Sequence, residues 1–132
     1  MMDRFTFVVV PERLSIARLP AGMPVPDWAS GSFVTVSRTP TELSVVCAQR
    51  FVPAGTQQER DKVALGINCV VPMTTIGILA ALCTALAARK VPVFAISTYD
   101  TDYLLVSADR FAEAKLALEG LGHEIRGTLP QD

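Results

Sequence analysis

Val91-Pro-Val-Phe-Ala-Ile-Ser-Thr-Tyr-Asp-Thr-Asp-Tyr-Leu-Leu-Val106 is the stretch that decides the fold. Its two ends, Val91 to Ile96 and Tyr103 to Val106, have the β-branched, aromatic and apolar composition of buried strands. Between them lies a polar patch with two carboxylates, Asp100 and Asp102. A carboxylate buried without a partner is costly, so a hairpin carrying two of them turns them toward water, a cation or a ligand. Immediately upstream, Thr74-Thr-Ile-Gly-Ile-Leu-Ala-Ala-Leu-Cys-Thr-Ala-Leu-Ala-Ala-Arg-Lys90 has the pattern of a helix whose uncharged N-terminus can hold an anion. An acid beside a helix N-terminus suits a zwitterion, and the commonest zwitterion is a free amino acid.

Outward from this stretch, the second half of the chain alternates in an ordered way. A strand is expected over Val63 to Val70, ended by Pro72, then a helix over Thr75 to Arg89 and strands over Val91 to Ser97 and Asp102 to Ser107. A second helix over Ala108 to Leu121 has Ser107 as candidate N-cap, Asp109 favouring the dipole, and Phe111, Ala114, Leu118 and Leu121 as its buried stripe. Gly120 and Gly122 supply the stop, and Glu124 to Gly127 a last short strand. The order β-α-β-β-α-β is the ferredoxin-like split unit of the α+β class, an antiparallel four-stranded sheet with both helices on one face. The first helix carries no charge before its last turn, so most of its sides should be hidden, by the N-terminal half or by a second copy of the chain.

The first half is expected to hold four short strands: Phe5 to Val10, Leu14 to Leu19, Phe33 to Arg38 and Leu43 to Gln49. Thr39-Pro-Thr-Glu42 places proline at the second position of a type I turn, joining the last two as a hairpin. Pro26 can open a short helix containing Asp27 and Trp28, with Trp28 as a core plug. Residues 53 to 62 are polar and form the best linker candidate.

Composition narrows the function classes. Half of the 132 residues are apolar and 19% charged, so the chain is globular, with a formal net charge of −1 and no basic block. Nucleic acid and anionic membrane are therefore not expected partners. Residues 63 to 88 carry no charge, which is long enough to cross a bilayer, but Gly66, Asn68 and Pro72 break the run into a strand and a helix shorter than the roughly 20 residues a span needs. No signal peptide is evident, because the apolar run near the N-terminus is short and followed by Pro11-Glu-Arg13. Cys47, Cys69 and Cys83 form no C-x-x-C and are read as buried, reduced thiols, which with the missing signal peptide places the chain in the cytoplasm. With His123 the single histidine, no metal-ligand set is expected. Phosphate-loop, nucleophile-elbow and cofactor motifs are absent, so no cofactor and no catalysis are expected.

The combination of Ile76-Gly-Ile-Leu79, Val93-Phe-Ala-Ile-Ser-Thr-Tyr-Asp-Thr-Asp-Tyr-Leu-Leu-Val106 and Leu118-Glu-Gly-Leu-Gly-His-Glu-Ile125 closely resembles the small ACT-domain proteins, within them the subgroup related to the CASTOR-type cytosolic arginine sensors. The likeness is strong over residues 62 to 127. It extends weakly to the Thr39-Pro40-x-Glu42-Leu43-Ser44 hairpin of the first half. It implies a ferredoxin-like ACT domain at 61–132 packed with an abbreviated ACT-like N-terminal module at 1–60. It also implies a homodimer and regulatory binding of an amino acid near the loop between the first strand and first helix. Carried over residue by residue, that loop is Thr74, Thr75, Ile76, Gly77 and Ile78 (preceded by Met73), and the acidic hairpin is Ser97, Thr98, Asp100 and Asp102. No enzyme, transporter or DNA-binding domain is attached in this sequence, so a sensed ligand has to be reported through a partner protein.

Each candidate also has a plainer reading. Amides at Thr75 to Ile78 can receive a carboxylate, and Gly77 lets a ligand approach. Equally, Thr74 or Thr75 can be a simple cap. Asp102, then Asp100, can take an ammonium through a charge-assisted bond. Asp100 is also a routine turn residue, and Asp102 can bond the hairpin's own hydroxyls. Tyr99 and Tyr103 can touch a ligand side chain or be ordinary buried tyrosines. His123 is expected at the surface, and Glu12, Arg13 and the charges of 59 to 62 as solvated turn residues. The competing functional reading is a ligand-free module for oligomerisation or protein interaction.

Overall fold

The computed structural model describes residues 4–132. In chain order its strands and helices are β1 (Thr6–Val9), β2 (Leu14–Pro20), β3 (Thr35–Arg38), β4 (Glu42–Ala48), β5 (Gln57–Ile67), α1 (Ile78–Ala88), β6 (Phe94–Ser97), β7 (Asp102–Ser107), α2 (Phe111–Gly120) and β8 (Glu124–Arg126). The chain divides into two compact units, one formed by residues up to Val9 with Val63–Leu129, the other by Val10–Lys62 with Pro130–Asp132.

The unit that holds the quoted stretch is α+β and ferredoxin-like, with strands in the order β6-β7-β5-β1-β8. Residues Val63, Leu65 and Ile67 alternate inward from β5, and Leu104 and Val106 do so from β7. Ile78, Leu82 and Leu86, four residues apart on α1, meet Phe111, Ala114 and Leu118 of α2 in the same core. Full burial of one such leucine stabilises by about 1.5–3 kcal/mol. Arg110 Nη2 donates to the Arg89 and Lys90 carbonyls at 2.9 and 3.2 Å, closing the end of α1, and Arg89 pairs with Glu113 at 3.1 Å. Beyond α2, Gly122 at φ 97° lets the His123 N–H return to the Leu118 carbonyl.

Several expectations are revised. The sheet of the split unit is not a plain antiparallel four. The N-terminal β1, grouped by sequence with the first half, enters it between β5 and β8, antiparallel to β5 and parallel to β8. Helix α1 starts at Ile78, not Thr75, because the chain first turns at Pro72–Thr75 and then passes through Gly77. The expected start of α2 at Ala108 is a 3-10 turn with no Ser107 side-chain cap. Outside its buried stripe α1 is only partly covered in the described chain, with Ala80, Thr84, Ala87 and Ala88 exposed. Cys47 is buried as expected, but Cys69 is exposed.

The other unit is a sheet of β3, β4, β2 and the first part of β5. Its core is Ala17, Leu43, Val45, Cys47 and Val52, with Trp28 packed half-buried against it. Pro26 opens a turn, not a helix. The Thr39–Glu42 turn is closed by the Thr39 N–H on the Glu42 carbonyl at 3.0 Å and by the Glu42 N–H on Thr39 Oγ1 at 3.1 Å. Residues 57–62 are not a linker. They pair antiparallel with β2, Gln57 opposite Arg18 and Lys62 opposite Leu14. A backbone ladder needs no apolar side chains, and Gln58 accepts a bond from the Ser15 hydroxyl at 2.7 Å. Among the described residues no helix is long and apolar enough to cross a membrane.

His123, expected at the surface, is 4% exposed. It stacks on Phe5 and meets Phe7 edge-on. Its Nδ1 accepts the Phe5 N–H at 3.0 Å, and its buried Nε2 finds no partner among the described residues. Burial holds its pKa below the ordinary histidine value. The folded imidazole therefore stays neutral where the unfolded one begins to charge, and the unfolded chain binds more protons. Its contribution to stability is whole above about pH 6.5 and is lost as pH falls below that value toward the depressed folded-state pKa. Denaturant midpoints measured between pH 7 and pH 5 should fall for the native chain and fall less for His123→Gln, since no other histidine titrates there. Equal slopes would contradict the assignment.

Candidate functional site

The loop after β5 and the turn between β6 and β7 enclose a cleft of about 270 Å³. Sequence-local chemistry sets both walls. On one side, the Thr75 N–H bonds the Pro72 carbonyl at 2.9 Å, and Gly77 at φ 86° turns the chain into α1. The first N–H groups of a helix have no intrahelical acceptor. The first helical bond here runs from the Ala81 N–H to the Gly77 carbonyl, and no described residue accepts from the Ile78, Leu79 or Ala80 N–H. All three of these residues line the cleft.

On the other side the hairpin organises itself. The Thr98 N–H bonds the Thr101 carbonyl at 2.8 Å, while the Thr101 N–H returns to Thr98 Oγ1 at 3.2 Å. Two further bonds tie the turn to the opposite wall: Val71 N–H to the Asp100 carbonyl at 2.6 Å, and Thr101 Oγ1 to the Ile67 carbonyl at 3.0 Å. Ser97 and Asp102 face each other as the last register pair of β6 and β7, and the Ser97 hydroxyl donates to Asp102 Oδ1. Asp102 is half-buried, with its second oxygen unbonded among the described residues.

The cleft thus gathers Thr75, Gly77, Ile78, Ser97, Thr98 and Asp102 from the residues singled out by sequence. It does not gather Thr74, Ile76 or Asp100. Ile76 is 93% exposed, and Asp100 contributes its carbonyl to the tie with Val71. Sequence reading missed Val71, Pro72, Leu79, Ala80 and Thr101 as lining residues; of the amides expected to be free at Thr75 to Ile78, that of Thr75 is engaged, and those of Leu79 and Ala80 join the rest. The positive φ at Gly77, invisible in a helix-like run, delays the helix start to Ile78 and so extends the free amides to Ala80.

Residues 59–120 match the family model of the ACT domain, and residues 12–55 match a separate model of an N-terminal domain. Residues 59–120 are an ACT domain. Among solved structures, protein Atu0741 from Agrobacterium tumefaciens is 26% identical, with a TM-score of 0.90 over 99% of each chain. Vibrio cholerae VC0802, described as a possible transport protein, is 18% identical, with a TM-score of 0.67 over 83% of this chain and 84% of its own. The regulatory subunit of aspartate kinase from Thermus flavus is 11% identical, with a TM-score of 0.62 over 89% of this chain and 98% of its own. The last two are likenesses of fold. Comparison with curated proteins finds no match. The cleft of the ACT domain lies where its first helix begins.

Away from the cleft, charges expected to be solvated are engaged. Glu12 accepts from the Ser32 N–H and hydroxyl and pairs with Arg50. Burial pushes its carboxyl up, but the Ser32 bonds and Arg50 outweigh it and leave the pKa lowered. Asp61 is lowered chiefly by the Gln49 side chain, then by Arg13 at 3.0 Å. Among the described residues no group of three His, Cys, Asp or Glu side chains is arranged to hold a metal.

A Cβ at Gly77 would meet nothing within 4 Å, so Gly77→Ala tests backbone conformation alone. The left-handed region costs a non-glycine residue about 1–2 kcal/mol, and urea unfolding should show that loss. Gly55→Ala, also free of neighbours but without a left-handed φ, should be neutral. Equal effects of the two changes would contradict the turn at Gly77.

Proposed function

We propose that this chain is a regulatory, non-catalytic protein whose ACT domain binds a free amino acid in the cleft between the start of α1 and the β6–β7 hairpin. The observation that carries the proposal is the meeting of opposite polarities in one cavity. Unpartnered Ile78, Leu79 and Ala80 N–H groups stand on one wall and the Asp102 carboxylate on the other. The ligand's carboxylate takes the amides, assisted by the helix dipole. Its ammonium takes the open oxygen of Asp102, which Ser97 holds in place. Small-molecule pockets measure about 300–1,000 Å³, so a cleft of about 270 Å³ calls for a small ligand. The fold likeness to a regulatory subunit of aspartate kinase supports a regulatory role. A cytoplasmic homodimer related to the CASTOR-type sensors is the setting this reading adopts.

A second reading, a ligand-free interaction module, has its own support. Val70, Met73, Ile76 and Tyr99 are 68%, 81%, 93% and 86% exposed around the same cleft. Apolar side chains clustered at such exposure mark interaction surfaces.

Thermal-shift measurements with each of the twenty amino acids at millimolar concentration separate the two. Under the proposal at least one raises the melting temperature, with about 2.7 kcal/mol of stabilisation at a concentration 100 times Kd. Asp102→Asn keeps the shape and removes the charge, and it should abolish the shift. If no amino acid shifts the native chain, and Ile76→Asp changes its oligomeric state, the interaction module is the correct reading.

A further inference from the structure

We infer that the cleft selects an amino acid with a small, uncharged aliphatic side chain and rejects arginine, lysine, aspartate and glutamate; the inference rests on the ligand-binding reading above. It comes from an inventory of what the lining has left to offer. The Ser97 hydroxyl proton is given to Asp102, the Thr98 hydroxyl to the Thr101 carbonyl at 3.2 Å, and the Thr101 hydroxyl to the Ile67 carbonyl at 3.0 Å. Three of the polar side chains that look available have spent their donors inside the hairpin.

The charges are equally limited. Asp102 is the one carboxylate in the lining, since Asp100 lies outside it, and none of the lining residues is basic. Once Asp102 holds the ligand's ammonium, no anion remains for a guanidinium or a second ammonium. A second carboxylate would likewise meet no cation. A charge taken from water without a partner is strongly disfavoured. What remains for the ligand side chain is uncharged: the apolar Val71, Met73, Ile78, Leu79 and Ala80, with the Thr75 and Tyr99 hydroxyls beside them. The cleft of about 270 Å³ sets the upper size, and in such a pocket one methylene changes affinity by about 10–200-fold.

Isothermal titration calorimetry of the full chain with L-alanine, L-valine, L-leucine, L-arginine and L-glutamate tests the inference. Valine or leucine should bind at least tenfold more tightly than arginine or glutamate. Met73→Glu changes a side chain that lines the cleft yet is 81% exposed, so folding should survive it. It supplies the missing anion and should raise arginine affinity about tenfold. Arginine or glutamate binding the native chain as tightly as valine overturns the selectivity while the ligand-binding reading stands. Absence of heat or thermal shift with all twenty amino acids overturns both.

Discussion

Two hydrogen bonds across the end of β5 hold the site together: Thr101 Oγ1 on the Ile67 carbonyl and the Val71 N–H on the Asp100 carbonyl. Without them the β6–β7 turn and the loop leading to α1 are two independent surface loops. With them the turn is fastened to the strand from which that loop departs. Asp102 then shares the lining of one cleft with the first amides of α1. Both ties use backbone carbonyls, which leaves the Asp102 carboxylate to Ser97 and to whatever enters. The hairpin's own threonine bonds stiffen the turn in the same way, at the expense of polar groups that would otherwise face a ligand.

The same economy appears at the far edge of the ACT sheet. Strand β1 enters between β5 and β8 and brings Phe7 and Val9 into the core. The Phe5 N–H, just before β1, is taken by the buried His123 ring, so a residue just after α2 fastens the approach to β1. A neutral imidazole is required there, because its Nδ1 is an acceptor and its surroundings are aromatic. The site end and the β1 end of this unit are therefore set by different chemistry: hydroxyls and carbonyls at one, a desolvated ring at the other.

Much of the ACT domain was legible in the chain because its signals are local. The inward alternation of Val63, Leu65 and Ile67, the spacing of Ile78, Leu82 and Leu86, and the stripe through Phe111, Ala114 and Leu118 each lie within one element. The acidic hairpin was legible for the same reason, and so were Asp102, Ser97 and Gly77 as candidates. The errors have a common origin in non-local partners. Residues 57–62 look like a polar linker until β2 is present to pair with them. His123 looks like a surface residue until Phe5 and Phe7 close over it. Asp100 looks like a second choice beside Asp102 until its carbonyl is claimed by Val71 and it falls outside the lining of the cleft.

By itself the sequence determined the βαββαβ order, the apolar faces of both helices and an acidic turn between two strands, since hydrophobic period and turn chemistry act over a few residues. Tertiary structure alone decided that the N-terminal strand sits inside the ACT sheet, that the Thr75 amide is spent on Pro72 and that the free amides extend to Leu79 and Ala80. It also decided which hydroxyls remain for a ligand. Those outcomes depend on which distant backbone groups satisfy one another. Hydrogen bonds between residues far apart in the chain leave no periodic trace in its composition.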